Sequence, residues 1–278
     1  YTGAQGDLGY FFADSSGKLV FHSLIHFLPN DKKEISDVWN TFISNGLVYF
    51  NTGNNILIWN NDKQSFKIIQ SENGFHTMFM VNGKIYVREW NKGLMYVNND
   101  SISLCNEGEK FAEEKIYGML PMPGQSGSIL IVTRTKGLMK YDGIHFTPFP
   151  SAANEFIKTN LCYLPGAVLS DDNILLGTLN GGAIVIDTLG NEVRRYNREG
   201  GIIDNVIQYT FQDRAGAIWL ATSNGISGID YSSPIAWFDS RNNITTTPND
   251  IILFHNIIYT ATSDGVYYLQ PHQSTFQL

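Results

Sequence analysis

The stretch DRAGAIWLATSNGISGID, residues 213–230, decides how this chain is read. A turn of polar and small residues leads into an apolar run ending Trp-Leu-Ala-Thr. Ser-Asn-Gly follows, then a second apolar run that closes on Asp230. Asp213, Arg214, Thr222, Ser223 and Asn224 could each be cast as catalytic, unless the stretch is one copy of a structural unit. Aligned on Gly225, copies emerge on both sides: GLVYFNTGNNILIWN, GKIYVREWNKGLMYVN, SILIVTRTKGLMKYD, NILLGTLNGGAIVID, GAIWLATSNGISGID and NIIYTATSDGVYYLQ. Their turn residues are Asn55, Gly93, Gly137, Gly181, Gly225 and Gly265, at spacings of 38, 44, 44, 44 and 40 residues. A partial copy, YTGAQGDLGYFFAD, opens the chain.

Each unit reads as about four short strands. In the clearest one, VIQYTFQD alternates apolar and polar residues, Arg-Ala-Gly turns, and AIWLATS is the next strand. Asn-Gly then makes a tight turn that tolerates positive φ, and ISGIDY and IAWFDS complete the unit. A four-stranded meander repeating at this period predicts an all-β chain, a β-propeller of four-stranded antiparallel blades. Seven repeats are expected, at about 1–30, 36–70, 74–105, 115–149, 161–198, 205–240 and 249–278, in one domain; eight blades would follow if an upstream unit supplied a missing strand. In this reading Asp213 caps a turn, Gly216 relieves it, and Thr222 hydrogen-bonds near the hairpin. Small residues before the turn, Gly177, Ala221 and Ala261, fit packing near a crowded axis. Trp39, Trp59, Trp219 and Trp237 fit the interfaces between blades.

The segment GGIIDNVIQYTFQDRAGAIWLATSNGISGID, residues 200–230, resembles the two-component-regulator propeller repeat. The match rests on Asn205-Val206, Asp213, Gly216, Ile218-Trp219-Leu220, Thr222 and Gly225. Other units fit more loosely; Asn55 replaces the turn glycine, and units two to four lack the Trp-apolar-x-Thr core. The resemblance implies the extracytoplasmic, periplasmic sensory part of a bacterial inner-membrane regulator, of two-component or transcriptional type. It implies an oligosaccharide or other small-molecule ligand. It also implies docking on neighbouring sensor domains of the same polypeptide or on a homodimer mate. The start at Tyr1, without Met, reads as a piece of something longer.

Composition sets outer bounds. Apolar residues are 43% and aromatics 13%, enough for a large core, while charged residues are only 16%. Net charge is −7 and no Lys/Arg run occurs, so the electrostatic footprint of a nucleic-acid binder is missing. No apolar run reaches the ~18 residues of a membrane helix, and no signal peptide is visible. Cys105 and Cys162, outside any CxxC, read as two buried thiols.

The search for chemistry gives mostly structural answers. His22 and His26 are four apart, but in a strand running into a loop that spacing does not gather ligands; no metal site and no cofactor are expected. No GxSxG elbow occurs, and GQSGSI at 124–129 reads as a flexible turn. Glu107/Glu109, Glu113/Glu114 and Asp171/Asp172 read as solvated loop charges, so no catalytic residue is assigned. The better prospect is a binding surface built from the turns after each second strand and the links between blades, which share one face. The first set includes Glu89, Trp90, Arg134, Lys136 and Asn180, the second His76, Arg198, Asn205 and Arg241. Trp90 stands out: aligned on the glycines, its counterparts are Thr178, Thr222 and Thr262, and such departures mark functional or strained positions. Trp90, Arg134, Lys136, Asn180, Arg198, Asn205 and Arg241 are therefore the candidate ligand-binding residues, with chemistry suited to a sugar or a planar anion. The competing readings are a propeller lyase or hydrolase, which would bring His, Glu and Arg together on that face, and a structural spacer or docking domain.

Overall fold

The structure, a computed structural model, describes residues 1–98, 101–163, 166–233, 238–270 and 275–278. Trp237 lies outside the described residues, as does the side chain of Arg241. Two compact units are present, residues 1–149 and 150–278.

The first unit holds four antiparallel sheets. β1 (Thr2–Gly3), β2 (Leu8–Ala13) and β3 (Leu19–Ser23) form the first. The second contains β4 (Asn40–Ser44), β5 (Leu47–Asn51), β6 (Asn55–Asn60) and β7 (Ser65–Gln70). The third contains β8 (Phe75–Val81), β9 (Lys84–Glu89), β10 (Gly93–Asn98) and β11 (Ser101–Leu104). The fourth contains β12 (Ile116–Pro121), β13 (Ile129–Thr133), β14 (Leu138–Tyr141) and β15 (Phe146–Pro148). The second unit opens with helix α1 (Ala153–Asn160) and has three sheets. These are β16 (Ala167–Val168), β17 (Ile174–Gly177), β18 (Ala183–Ile186) and β19 (Glu192–Tyr196); β20 (Ile207–Gln212), β21 (Ile218–Thr222) and β22 (Gly225–Ile229); and β23 (Pro248–Phe254), β24 (Ile257–Thr262) and β25 (Gly265–Leu269). Every sheet is an up-and-down meander in chain order.

Local turn chemistry sets these registers. Asn45-Gly46 and Asn82-Gly83 both have positive φ and close two-residue hairpins, the geometry that matches strand twist. A second device answers the question raised by residues 213–230. The Asp213 carboxylate accepts from the backbone N–H of Ala215 at 2.9 Å and of Ala217 at 3.0 Å, and Gly216 takes φ +89°. Asp14 and Asp187 hold the same loop in two other sheets. Asp213 is a turn residue, its pKa lowered mainly by the Trp219 indole N–H that it accepts at 2.7 Å.

Because successive side chains point to opposite faces of a sheet, the second and third sheets each feed two cores. Val48 and Phe50 pack with Leu8 of the first sheet and with Leu24 and Leu28 of the segment after it, while Tyr49 and Ile58 pack with Met78, Ile85 and Val87 of the third. Tyr86 and Leu94 join Met119, Ile129 and Ile131 of the fourth. In the second unit Leu175 and Val185 pack with Ile207, Ile218 and Leu220. The first strands of consecutive sheets lie side by side, β4 with β8 and β8 with β12. At Gly177 a Cβ would stand 2.7 Å from Ile207 Cγ2, so the absence of a side chain there is a packing requirement.

The tryptophans divide. Trp59 is buried between the first and second sheets. Trp39 is 64% and Trp219 44% exposed, against the expectation of interface packing. Trp219 instead folds back along its own sheet, over side-chain-free Gly228 toward Asp213. Both cysteines are buried, and neither is in a disulfide.

Candidate functional site

The hairpin between second and third strands repeats one interaction. A threonine hydroxyl donates to the carbonyl across the turn: Thr52 to Asn55 at 3.1 Å, Thr133 to Gly137 at 2.7 Å, Thr178 to Gly182 at 2.8 Å, Thr222 to Gly225 at 2.9 Å and Thr262 to Gly265 at 3.0 Å. The counterpart of Gly225 is thus Gly182, not Gly181. In the third sheet Glu89 pairs with Gly93 as Thr222 pairs with Gly225. Glu89, not Trp90, replaces the threonine; Trp90 is the first residue of the turn. Glu89 is also no exposed turn residue. It is fully buried, accepts from Ser71 Oγ at 2.6 Å and pairs with Lys92 Nζ at 2.8 Å.

Strand alternation sends Arg88 to the opposite face from Glu89. Arg88 is fully buried; its Nε donates to the Phe111 carbonyl at 2.8 Å and its Nη2 to that of Ala112. Its guanidinium carbon lies 4.2 Å from the Trp90 ring centre, and Lys115 Nζ lies 5.1 Å from the same ring. Such cation contacts are worth about 0.5–2 kcal/mol each. His76 meets Trp90 edge-on at 5.2 Å and Tyr117 at 5.6 Å. Trp90 is anchored by its backbone N–H, which donates to the Gly74 carbonyl at 3.0 Å.

A recurring irregularity delivers His76 and Tyr117 to this place. The pairing of β8 with β9 skips between Phe75 and Met78, and that of β12 with β13 skips between Ile116 and Gly118. The same skip occurs between Ile207 and Tyr209 and between Pro248 and Asp250. A bulge at the start of a first strand frees one residue from the ladder and re-aims its side chain.

Burial, then the positive charge of Arg88 and Lys115, lowers the His76 pKa from its ordinary 6.5 to about 4. The unfolded chain therefore takes up a proton near pH 6.5 that the folded chain refuses until about pH 4. This contribution is complete above pH 6.5 and is lost as pH falls toward 4. Solvent screening at the partly open ring leaves about 1–2 kcal/mol. Denaturation midpoints at pH 7.5 and 5.0 should differ by that much less in His76→Gln than in the parent; an unchanged difference would contradict the assignment.

The other candidates are distributed. Arg134 is exposed and joins the cluster through its backbone N–H, which donates to the Lys115 carbonyl at 2.9 Å. Lys136 is exposed, with Nζ 3.3 Å from the Lys110 carbonyl. In the second unit the Arg198 N–H donates to Asn205 Oδ1 at 2.8 Å, and the Asn205 carbonyl accepts from Gly182 at 2.9 Å, beside exposed Asn180. Arg241 lies in the 3-10 turn Ser240–Asn242. Arg88, Lys115 and Tyr117 were missed from sequence. Arg88 carried a signal: a cation on the inward alternation of KIYVRE. Glu114 is not a solvated loop charge either; it is buried and accepts from Thr135 N at 2.7 Å and from its hydroxyl. Among the described residues no group of three His, Cys, Asp or Glu is placed to hold a metal ion.

No protein-family model matches the chain, and no curated protein matches it. Among solved structures, the WD40 propeller domain of Doa1 superposes with a TM-score of 0.54 at 11% identity, over 81% of this chain and 70% of that one. The fold is a β-propeller. The propeller is also similar to the extracellular domain of the proposed one-component system BT4673 from B. thetaiotaomicron, at TM-score 0.46 and 15% identity over 97% of this chain and 45% of that one. The extracellular domain of the proposed hybrid two-component system BT3049 from B. thetaiotaomicron gives 0.35 and 14%, over 99% and 43%. The chain spans less than half the length of these two structures.

Proposed function

We propose that this propeller is the extracytoplasmic ligand-sensing part of a bacterial two-component or transcriptional regulator, and that the ligand is read at Trp90. The observation that carries the reading is the cluster itself. A half-buried indole, two cations and a neutral imidazole converge from the second-strand turn, the bulged first strands and the link before β12. The family reading comes from the 200–230 repeat, whose Asp213, Trp219 and Thr222 all perform turn-holding work. Arg198, Asn205 and Asn180 belong to the same kind of link and turn in the second unit and form a second binding candidate there, with Arg241 in the following link a separate one.

The enzyme reading draws on His76 and Arg88, which face the same Trp90 ring. A hydrolase or lyase also needs a second acid–base group beside His76 in reach of substrate. Glu89, the carboxylate next in sequence, is sealed behind Ser71 and Lys92, which favours binding. A sensor must bind one state better than another. A thermal-shift screen against oligosaccharides and small acids should yield a ligand that raises the melting temperature with concentration. Trp90→Ala should abolish that rise while its unliganded melting temperature stays within a few degrees of the parent. Turnover of the ligand, or a rise that survives Trp90→Ala, would overturn the reading.

A further inference from the structure

Arg88 is an unusual residue to find where it is. Its side chain is fully buried, yet no carboxylate forms an ion pair with it among the described residues. Its Nε and Nη2 are taken by the carbonyls of Phe111 and Ala112, while Nη1 has no hydrogen-bond partner among the described residues. A buried charge without a counter-ion, carrying an unused donor, is costly and needs a compensating role. The acids whose charge acts on it are Glu113 and Glu114. Glu113 is exposed, and Glu114 is held by Thr135. Lys115, on the same indole, likewise forms no ion pair with a carboxylate among the described residues.

Two cations with no carboxylate in ion-pair contact among the described residues thus share one aromatic cover. Trp90 is only partly buried, sits at the start of a turn, and lies over the guanidinium. We infer that Arg88 and Lys115, beneath the Trp90 indole, bind the anionic group, a carboxylate or sulfate, of an acidic ring compound whose ring stacks on the indole. Nη1 supplies the missing donor, Lys115 the second charge, and His76, which is neutral at pH 7, an uncharged edge that does not compete for the anion. A planar carboxylate suits the guanidinium fork and the ammonium adds charge without geometric demand. This rests on the ligand reading at Trp90 and goes further by fixing the sign of the ligand.

The test is calorimetric titration of the whole chain at 50 mM salt with four probes: a uronic-acid disaccharide, a sulfated disaccharide, the neutral parent disaccharide, and inorganic sulfate. One or both acidic disaccharides should bind at least about tenfold more tightly than the neutral one, and should shift tryptophan emission. Lys115→Met, at a position outside the core, should lose about tenfold in affinity, and Arg88→Met nearly all binding. Should Arg88→Met fail to fold, Lys115→Met and the loss of affinity at 500 mM salt decide the matter. Sulfate alone, binding as tightly as the sulfated sugar, would remove the ring from the proposal and overturn it. Equal binding of the neutral sugar, sensitive to Trp90→Ala, would also overturn it while leaving the sensing reading intact. No Trp90-dependent binding by any probe would overturn both.

Discussion

Gly93→Ala is expected to cost the first unit about 4 kcal/mol or more, a large share of what holds a domain together. Gly93 opens β10 with φ +119°, where an L side chain is strained whatever the space. There is also no space. A Cβ would stand 2.1 Å from the carbonyl oxygen of Gly108 and 2.7 Å from its carbon, both backbone atoms that cannot swing away. Gly108 starts the 3-10 turn Gly108–Phe111, and that turn presents the Phe111 carbonyl to Arg88. The clash would therefore travel into the third-to-fourth sheet core and loosen the hold on Arg88. Gly46→Ala is the control: φ is +75°, but nothing lies within 4 Å of its Cβ, so only the left-handed backbone cost of about 1–2 kcal/mol applies. Chemical denaturation of both variants checks the contrast. A Gly93→Ala midpoint equal to that of Gly46→Ala would show that the 3-10 turn yields.

Trp59→Ala is expected to cost about 3–5 kcal/mol. The side chain is 1% exposed, packs 4.9 Å from the rings of both Phe27 and Phe66, and fills the seam between the first and second sheets with Leu8, Leu24 and Phe50. Its Nε1–H is buried and finds no acceptor among the described residues. A donor left without a partner subtracts about 1–3 kcal/mol from what the ring contributes. Trp59→Phe should accordingly be mild, about 1 kcal/mol or less, since the loss of ring area is offset by removal of that donor. If Trp59→Phe proved as damaging as Trp59→Ala, the indole nitrogen would have to be satisfied in solution.

Much of the architecture was readable because it is written locally. Asn-Gly hairpins and Asp-x-x-Gly loops fix strand connections within five residues of sequence, and alternation fixes which side chains enter which core. The site was less readable, for a specific geometric reason. Threonine and glycine are three apart at Thr222–Gly225 but four apart at Thr178–Gly182, and Glu89–Gly93 follows the longer spacing. Alignment on glycine therefore moved the anomaly by one residue, from Glu89 to Trp90. Arg88 and Lys115 were hidden because their meaning depends on which charges are absent around them, a property of packing across sheets. Trp219 misled because a side chain on the correct face can still lie flat along its own sheet.

The four skipped positions, occupied by His76-Thr77, Tyr117, Gln208 and Asn249, differ in chemistry while the strands around them keep their pairing. A residue freed from the ladder can change without breaking the strand pairing around it. Diversity can accumulate there independently in each repeat, and a change of preferred ligand would require few substitutions and no refolding.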